Sequence, residues 1–173
     1  MKIAVFGSAF NPPTLGHADA IQYLQETHHF DEIWLVPSYK HAFAKTMLKY
    51  DLRVSMLHEF VADLDNLSIK SVAIEDRVAA DDKPVFTWDL LNYVQKMDPQ
   101  HKFSFVMGPD NKANWHKFYK AEEIQQKWQL VVVPERQNIR SSIVRSAIEN
   151  ETDISELVTP SVASFITERN LYK

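Results

Sequence analysis

Between Gly7 and His17 the chain reads Gly-Ser-Ala-Phe-Asn-Pro-Pro-Thr-Leu-Gly-His, residue types that could hold a polyphosphate. Thr14 and His17 stand three apart, so in the first turn of a helix both side chains can face one way. The free N–H groups and dipole of such a helix start attract anions. Gly7 lets the backbone approach a ligand, and Pro12 and Pro13 stiffen the turn. The spacing is neither G-x-G-x-x-G nor a loop ending in G-K-[ST]. It still suits a nucleoside triphosphate, and a histidine closing this loop reads as functional.

Cationic groups gather in two further places. Lys40, His41, Lys45, Lys49 and Arg53 oppose a single acid, Asp51, and a second cluster holds Arg136, Arg140 and Arg145. The net charge is −4, which argues against nucleic acid as a partner and for a small polyanion such as a phosphate ester. The competing reading is a solvated basic face. The absence of cysteine excludes disulfides, thiolate metal sites and cysteine nucleophiles. Only three glycines occur, Gly7, Gly16 and Gly108, against about 12 expected at average usage, so each is expected where no side chain is tolerated.

The elements that must position these groups follow from hydropathy. Residues are 45% hydrophobic and 24% charged, as in an ordinary globular protein. The apolar run Ile3–Phe6 is too short for a signal peptide, and no run approaches the ~20 residues of a membrane span. A cytoplasmic protein without membrane partners is expected. Lys2–Phe6, Glu32–Val36, Ser68–Ile74, Phe103–Met107 and Leu130–Val133 read as strands. Helical spacing marks 18–27, 52–64 and 88–97, an acidic loop holds Asp81 and Asp82, and Thr159-Pro160 starts a last helix. Strands alternating with helices predict one doubly wound, mostly parallel α/β domain over residues 1–173, with about five strands, helices on both faces and a helical carboxyl terminus. Such sheets bind ligands beyond the carboxyl ends of their strands, where Gly7 and Gly108 fall.

The first loop resembles the nucleotidyltransferase superfamily signature G-x-F-x-P-x-[HT]-x-G-H, with Phe10, Pro12, Thr14, Gly16 and His17 matching. Ile139-Arg140-Ser141-Ser142-Ile143-Val144-Arg145 resembles its second signature, I-S-S-T-x-[IV]-R, with Arg140 and Ser142 replacing the usual serine and threonine. Gly108-Pro109-Asp110 and Phe86-Thr87-Trp88 are similar to segments of the nicotinate mononucleotide adenylyltransferases; Phe118 stands where that family has a ring-stacking tryptophan, with Trp115 nearby. Between Pro134 and Ile139 only four residues remain, where the family carries a longer connection.

The resemblance implies a Rossmann-like fold and transfer of AMP from ATP to the 5′-phosphate of nicotinate mononucleotide, giving deamido-NAD and pyrophosphate. Its alternatives are a sibling enzyme using nicotinamide mononucleotide, phosphopantetheine, FMN or a CDP-alcohol precursor, and a non-catalytic nucleotide-binding relative. It implies His17 donating to the α-phosphate, Thr14 supporting the phosphates, and Arg145 with Ser141 and Ser142 holding the outer phosphates. Lys45, or else Lys40, would neutralise the meeting of two anions. Gly7, Ser8, Ala9, Phe10, Gly16, Gly108, Asp110 and Ile139 complete the ATP set; Phe86, Thr87, Trp88, Asp110, Trp115 and Phe118 form the acceptor set. Mg²⁺ would arrive with ATP, needing no protein metal site, and a homo-oligomer is compatible with all of this.

Overall fold

The computed structural model describes residues 1–40, 47–81 and 83–173. Lys45 and His41 of the first basic island, and Asp82, lie outside the described residues. Five parallel strands form the sheet, β1 (Lys2–Ser8), β2 (Glu32–Pro37), β3 (Ile69–Ser71), β4 (Lys102–Met107) and β5 (Gln129–Val132), in spatial order β3-β2-β1-β4-β5. The helices are α1 (Leu15–Thr27), α2 (Tyr50–Asp63), α3 (Glu75–Val78), α4 (Thr87–Met97), α5 (Pro109–Ala113), α6 (Ala121–Lys127), α7 (Ser141–Glu149) and α8 (Pro160–Glu168), with a 3₁₀ turn at Trp115–Lys117.

Strand residues alternate between two cores because successive side chains point to opposite faces. On one face Ala4, Phe6, Ile33, Leu35 and Val106 meet Ile21 and Leu24 of α1, Leu57 and Phe60 of α2, Val144 of α7 and Phe165 of α8. On the other, Ile3, Val5, Phe103 and Phe105 meet Leu90, Leu91 and Val94 of α4, Trp115, and Ile124 of α6. The strand order reverses direction between β1 and β4, and a crevice opens at their carboxyl ends.

Two expectations change. Only Ile69–Ser71 of the expected strand 68–74 pairs with β2, because β3 is an edge strand and the chain turns away into α3. The acidic stretch before α4 thus contains a helix that hydropathy did not show. No described helix is long and apolar enough to cross a membrane.

Candidate active site

Thr14 caps α1 with extended backbone (φ −134°), and the histidine three residues on replies to it. The Thr14 N–H donates to His17 Nδ1 at 3.0 Å, and Thr14 Oγ1 lies 2.9 Å from the same nitrogen. The His17 N–H donates back to Thr14 Oγ1 at 3.4 Å. This is a capping box with histidine in the place usually filled by glutamate. A backbone N–H can only donate, so Nδ1 is the acceptor and the ring hydrogen sits on Nε2. Nε2 lies 3.3 Å from Ser8 Oγ, at the end of β1. Burial pushes the imidazole pKa down to about 4, so His17 is a neutral donor. His17 itself is half-buried at this helix start.

Thr14 and Phe10 are completely buried, which alters their expected roles. The Thr14 hydroxyl serves His17 and lies 3.4 Å from the Ile139 carbonyl, so it positions the imidazole. The Phe10 ring packs 4.9 Å from the His17 ring and 6.0 Å from Phe6, forming the floor under the histidine. Its backbone is left-handed at φ 45°, a conformation that costs about 1 kcal/mol and is held here by burial of the ring. The loop is tied from outside as well. Ser141 Oγ donates to the Pro12 carbonyl, Arg145 Nη1 to the Asn11 carbonyl and Tyr172 Oη to Asn11 Oδ1, at 2.7, 2.7 and 2.9 Å.

His17 faces a cavity of about 300 Å³ at the carboxyl ends of β1, β4 and β5. Gly7, Ser8, Thr14, Gly16, Gly108, Asp110, Ile139 and Ser141 of the expected set line it, so the two signature segments meet in one place. Ala9, Phe10, Ser142 and Arg145 are not among its described lining residues. The glycines differ from expectation. A Cβ on Gly16 would lie 2.1 Å from the Ile139 carbonyl oxygen, so only glycine lets α1 and this connection touch. A Cβ on Gly7 would make an ordinary 3.8 Å contact with Phe105, and one on Gly108 would meet nothing within 4 Å. Protein sterics therefore require only the second of the three.

The basic clusters also resolve differently. Arg136 pairs with Asp19 and Glu26 of α1, and Arg140 with Glu135 and Asp110. Two of the three arginines are thus already neutralised by carboxylates. Arg53 is 1% exposed and donates to the carbonyls of Ala9, Ser38, Tyr39 and Leu48. It joins the loops after β1 and β2 from within the protein and is no part of a phosphate-binding face. Beneath it Glu75, 5% exposed, accepts the Tyr39 N–H at 2.7 Å. Burial raises the Glu75 pKa to about 7 against the opposing charge of Arg53. A buried arginine cannot be told from an exposed one by composition, so Arg53 was read with the first basic island, and Asp19 and Glu135 escaped because their arginine partners come from other parts of the chain or loop.

The expected acceptor aromatics separate into three groups. Trp115 is 7% exposed and packs between Phe105 and Phe118, so its ring belongs to the core. Trp88 lies edge-on to Trp128 at 5.6 Å, with Lys120 and Lys127 over its ring, and is likewise committed to packing. Phe118 is half-buried, while Phe86 pairs with Tyr119 at 5.2 Å with both rings 48% exposed. Tyr119 was missed; its place directly after Phe118 was the available signal. Thr87 opens α4, whose first backbone N–H groups follow Phe86.

Known proteins share this fold. The cytidylyltransferase-like family model matches residues 5–147. The crystal structure of a candidate nicotinate-nucleotide adenylyltransferase from Vibrio parahaemolyticus superposes with a TM-score of 0.84 and 37% identity, covering 96% of this chain and 98% of that one. A Cytophaga hutchinsonii protein named "probable nicotinate-nucleotide adenylyltransferase" is 29% identical over 99% of this chain and 98% of its own. The fold is also that of a Plasmodium falciparum nicotinic acid mononucleotide adenylyltransferase complexed with NaAD, at a TM-score of 0.78, 18% identity and coverage of 99% and 97%.

Proposed function

The chain belongs to the cytidylyltransferase-like family, and from that premise we propose that it transfers AMP from ATP to the 5′-phosphate of nicotinate mononucleotide, a step of NAD biosynthesis in the cytoplasm. The observation that carries this reading is His17, fixed as an Nε2–H donor beside Ser8 in the lining of the cavity where both signature segments meet. Near-complete coverage by relatives named for this reaction supports it.

An acceptor phosphate oxygen forms the new bond to the α-phosphorus, and the bond to the bridging oxygen breaks as pyrophosphate leaves. The nucleophile is already an anion, so no protein base is needed. Catalysis is then positioning and charge stabilisation. His17 Nε2–H donates to an α-phosphate oxygen, with Ser8 beside it. Gly7 and Gly108 leave open space for ligand atoms at two strand ends. Arg145 spends one donor on the Asn11 carbonyl and keeps the others of its fork for the outer phosphates, aided by Ser142 and the backbone N–H groups that open α7 at Ser141. Lys45 neutralises the approach of the two anions. Phe118 and the Phe86–Tyr119 pair offer faces for the pyridine ring.

Among the described residues no three His, Asp or Glu side chains converge to hold a metal ion, and the cavity carboxylates Asp19, Asp110 and Glu135 each pair with an arginine. That donor set fits a Mg²⁺ ion carried by phosphate oxygens and water, which would offset charge on the departing pyrophosphate. The test is incubation with ATP, Mg²⁺ and nicotinate mononucleotide, following pyrophosphate release and the mass of the dinucleotide. Pyrophosphate without a dinucleotide product would defeat the reading.

A further inference from the structure

Arg140 stands where the superfamily signature usually has serine, and it lines the cavity. Its Nε and Nη2 donate to the two oxygens of Glu135, a bidentate pair, while Nη1 donates to Asp110 Oδ2 at 3.0 Å. Glu135 follows β5 and Asp110 lies in the first turn of α5, after β4. One planar guanidinium thus ties together two walls of the site, both of which line the cavity. With two nitrogens fixed on Glu135, the direction of the third is fixed too, since the fork is rigid. The charge of Arg140 also holds the Glu135 carboxyl below its ordinary range. Among the described residues no hydrogen bond reaches the other oxygen of Asp110, on a side chain 72% exposed.

We propose that Arg140, braced by Glu135, is a positioning residue that aims Asp110 at a ribose hydroxyl of a bound nucleotide. This rests on the adenylyl-transfer reading of the site. A carboxylate with one oxygen occupied by a fixed cation keeps one acceptor, in one direction, for an incoming hydroxyl. Without Arg140 the side chain of Asp110 is free to turn into solvent, and the hydroxyl loses its oriented partner. ATP and the acceptor both carry a ribose, so both are tested.

The experiment compares kcat/KM for ATP with its 2′-deoxy and 3′-deoxy forms, and for the acceptor with its deoxy forms, in wild type, Arg140→Gln, Glu135→Gln and Asp110→Asn. Wild type should prefer one ribose over its deoxy form by about tenfold or more, the worth of a hydrogen bond to a charged acceptor. Each variant should compress that ratio toward unity, and Arg140→Gln combined with Asp110→Asn should be no worse than either alone. A general loosening of the fold would lower turnover without changing the ratio. Wild-type discrimination retained in Arg140→Gln, losses that multiply in the double variant, or no ribose preference in wild type would each overturn the proposal. Calorimetric binding of ATP and its deoxy forms gives the same ratio without turnover. A chain that makes no dinucleotide therefore fails the reaction reading while Arg140 is still judged.

Discussion

His17 is held by an interaction network more than by its place in sequence, and that governs what its removal does. His17→Ala deletes the donor proposed for the α-phosphate and should lower kcat about a hundredfold or more. It also deletes one half of the capping box, so a stability loss of about 1 kcal/mol should accompany it. A folded variant turning over within a few-fold of wild type would sink the role. Glu75 supplies a second residue-level prediction. Its folded pKa, about 7, lies above the ordinary 4.5, so its contribution is fully present below pH 4.5 and is lost as pH rises through 7. The loss amounts to about 3 kcal/mol at 1.36 kcal/mol per pKa unit. Glu75→Gln retains an acceptor for the Tyr39 N–H and has nothing to titrate. His17 works in the opposite direction, with a folded value near 4 against 6.5, so its contribution is lost as pH falls from 6.5 through 4. Urea denaturation across pH 4.5 to 8 should therefore show the variant flattening above pH 6.5 and gaining stability with pH below it. Parallel curves for variant and wild type would refute the linkage.

At the scale of elements, α1 and the connection before α7 act as one unit through Gly16. Gly16→Ala places a methyl 2.1 Å from the Ile139 carbonyl, and because backbone cannot step aside cheaply, a loss of about 3 kcal/mol or more is expected, with activity. Gly108→Ala meets no protein atom and has an ordinary φ of −82°. It should leave stability unchanged or raise it by up to about 1 kcal/mol, yet raise KM for ATP because the methyl enters ligand space. Denaturation and kinetics on the two variants decide between steric and ligand reasons for glycine; equal destabilisation would remove the distinction. Four of the five strands and the Thr159-Pro160 start were legible in sequence because local periodicity and capping chemistry decide them, whereas helical spacing showed α1 only from residue 18 and not its cap at Thr14. The convergence of Gly7–His17 with Ile139–Ser141 was legible only through the resemblance. What stayed hidden was pairing over long separations: Asp19 with Arg136, Asp110 with Arg140, and the burial of Arg53 and Trp115. Charge and aromaticity are visible along a chain, but whether a neighbour from another element consumes them is not.

At the scale of the whole molecule, the adenylyl transfer proposed for this chain needs two ligand regions near the β1–β4 switch. The cavity before His17 lies toward β5 and α7, while Phe118 and Trp88, at the start of α4, pack with the opposite core, and the exposed Phe86 and Tyr119 are near them in sequence. Ring faces cannot distinguish nicotinate from nicotinamide mononucleotide, because both rings stack equally. The choice falls to groups at the ring edge. In α4, backbone hydrogen bonding to Phe86 begins at Asp89, so the Thr87 and Trp88 N–H groups remain as donors at a positive helix end. A carboxylate only accepts, and these donors suit it. An amide brings two hydrogens that need acceptors, and leaving them unpaired costs about 1–3 kcal/mol, roughly tenfold to a hundredfold in specificity. Asp89 is the one carboxylate in that first turn, and it is exposed, where water competes for it. Nicotinate mononucleotide should therefore be the better acceptor by at least about tenfold. The measurement is kcat/KM for both acceptors at matched ATP and Mg²⁺; a ratio at or below one would overturn the acceptor while leaving adenylyl transfer in place.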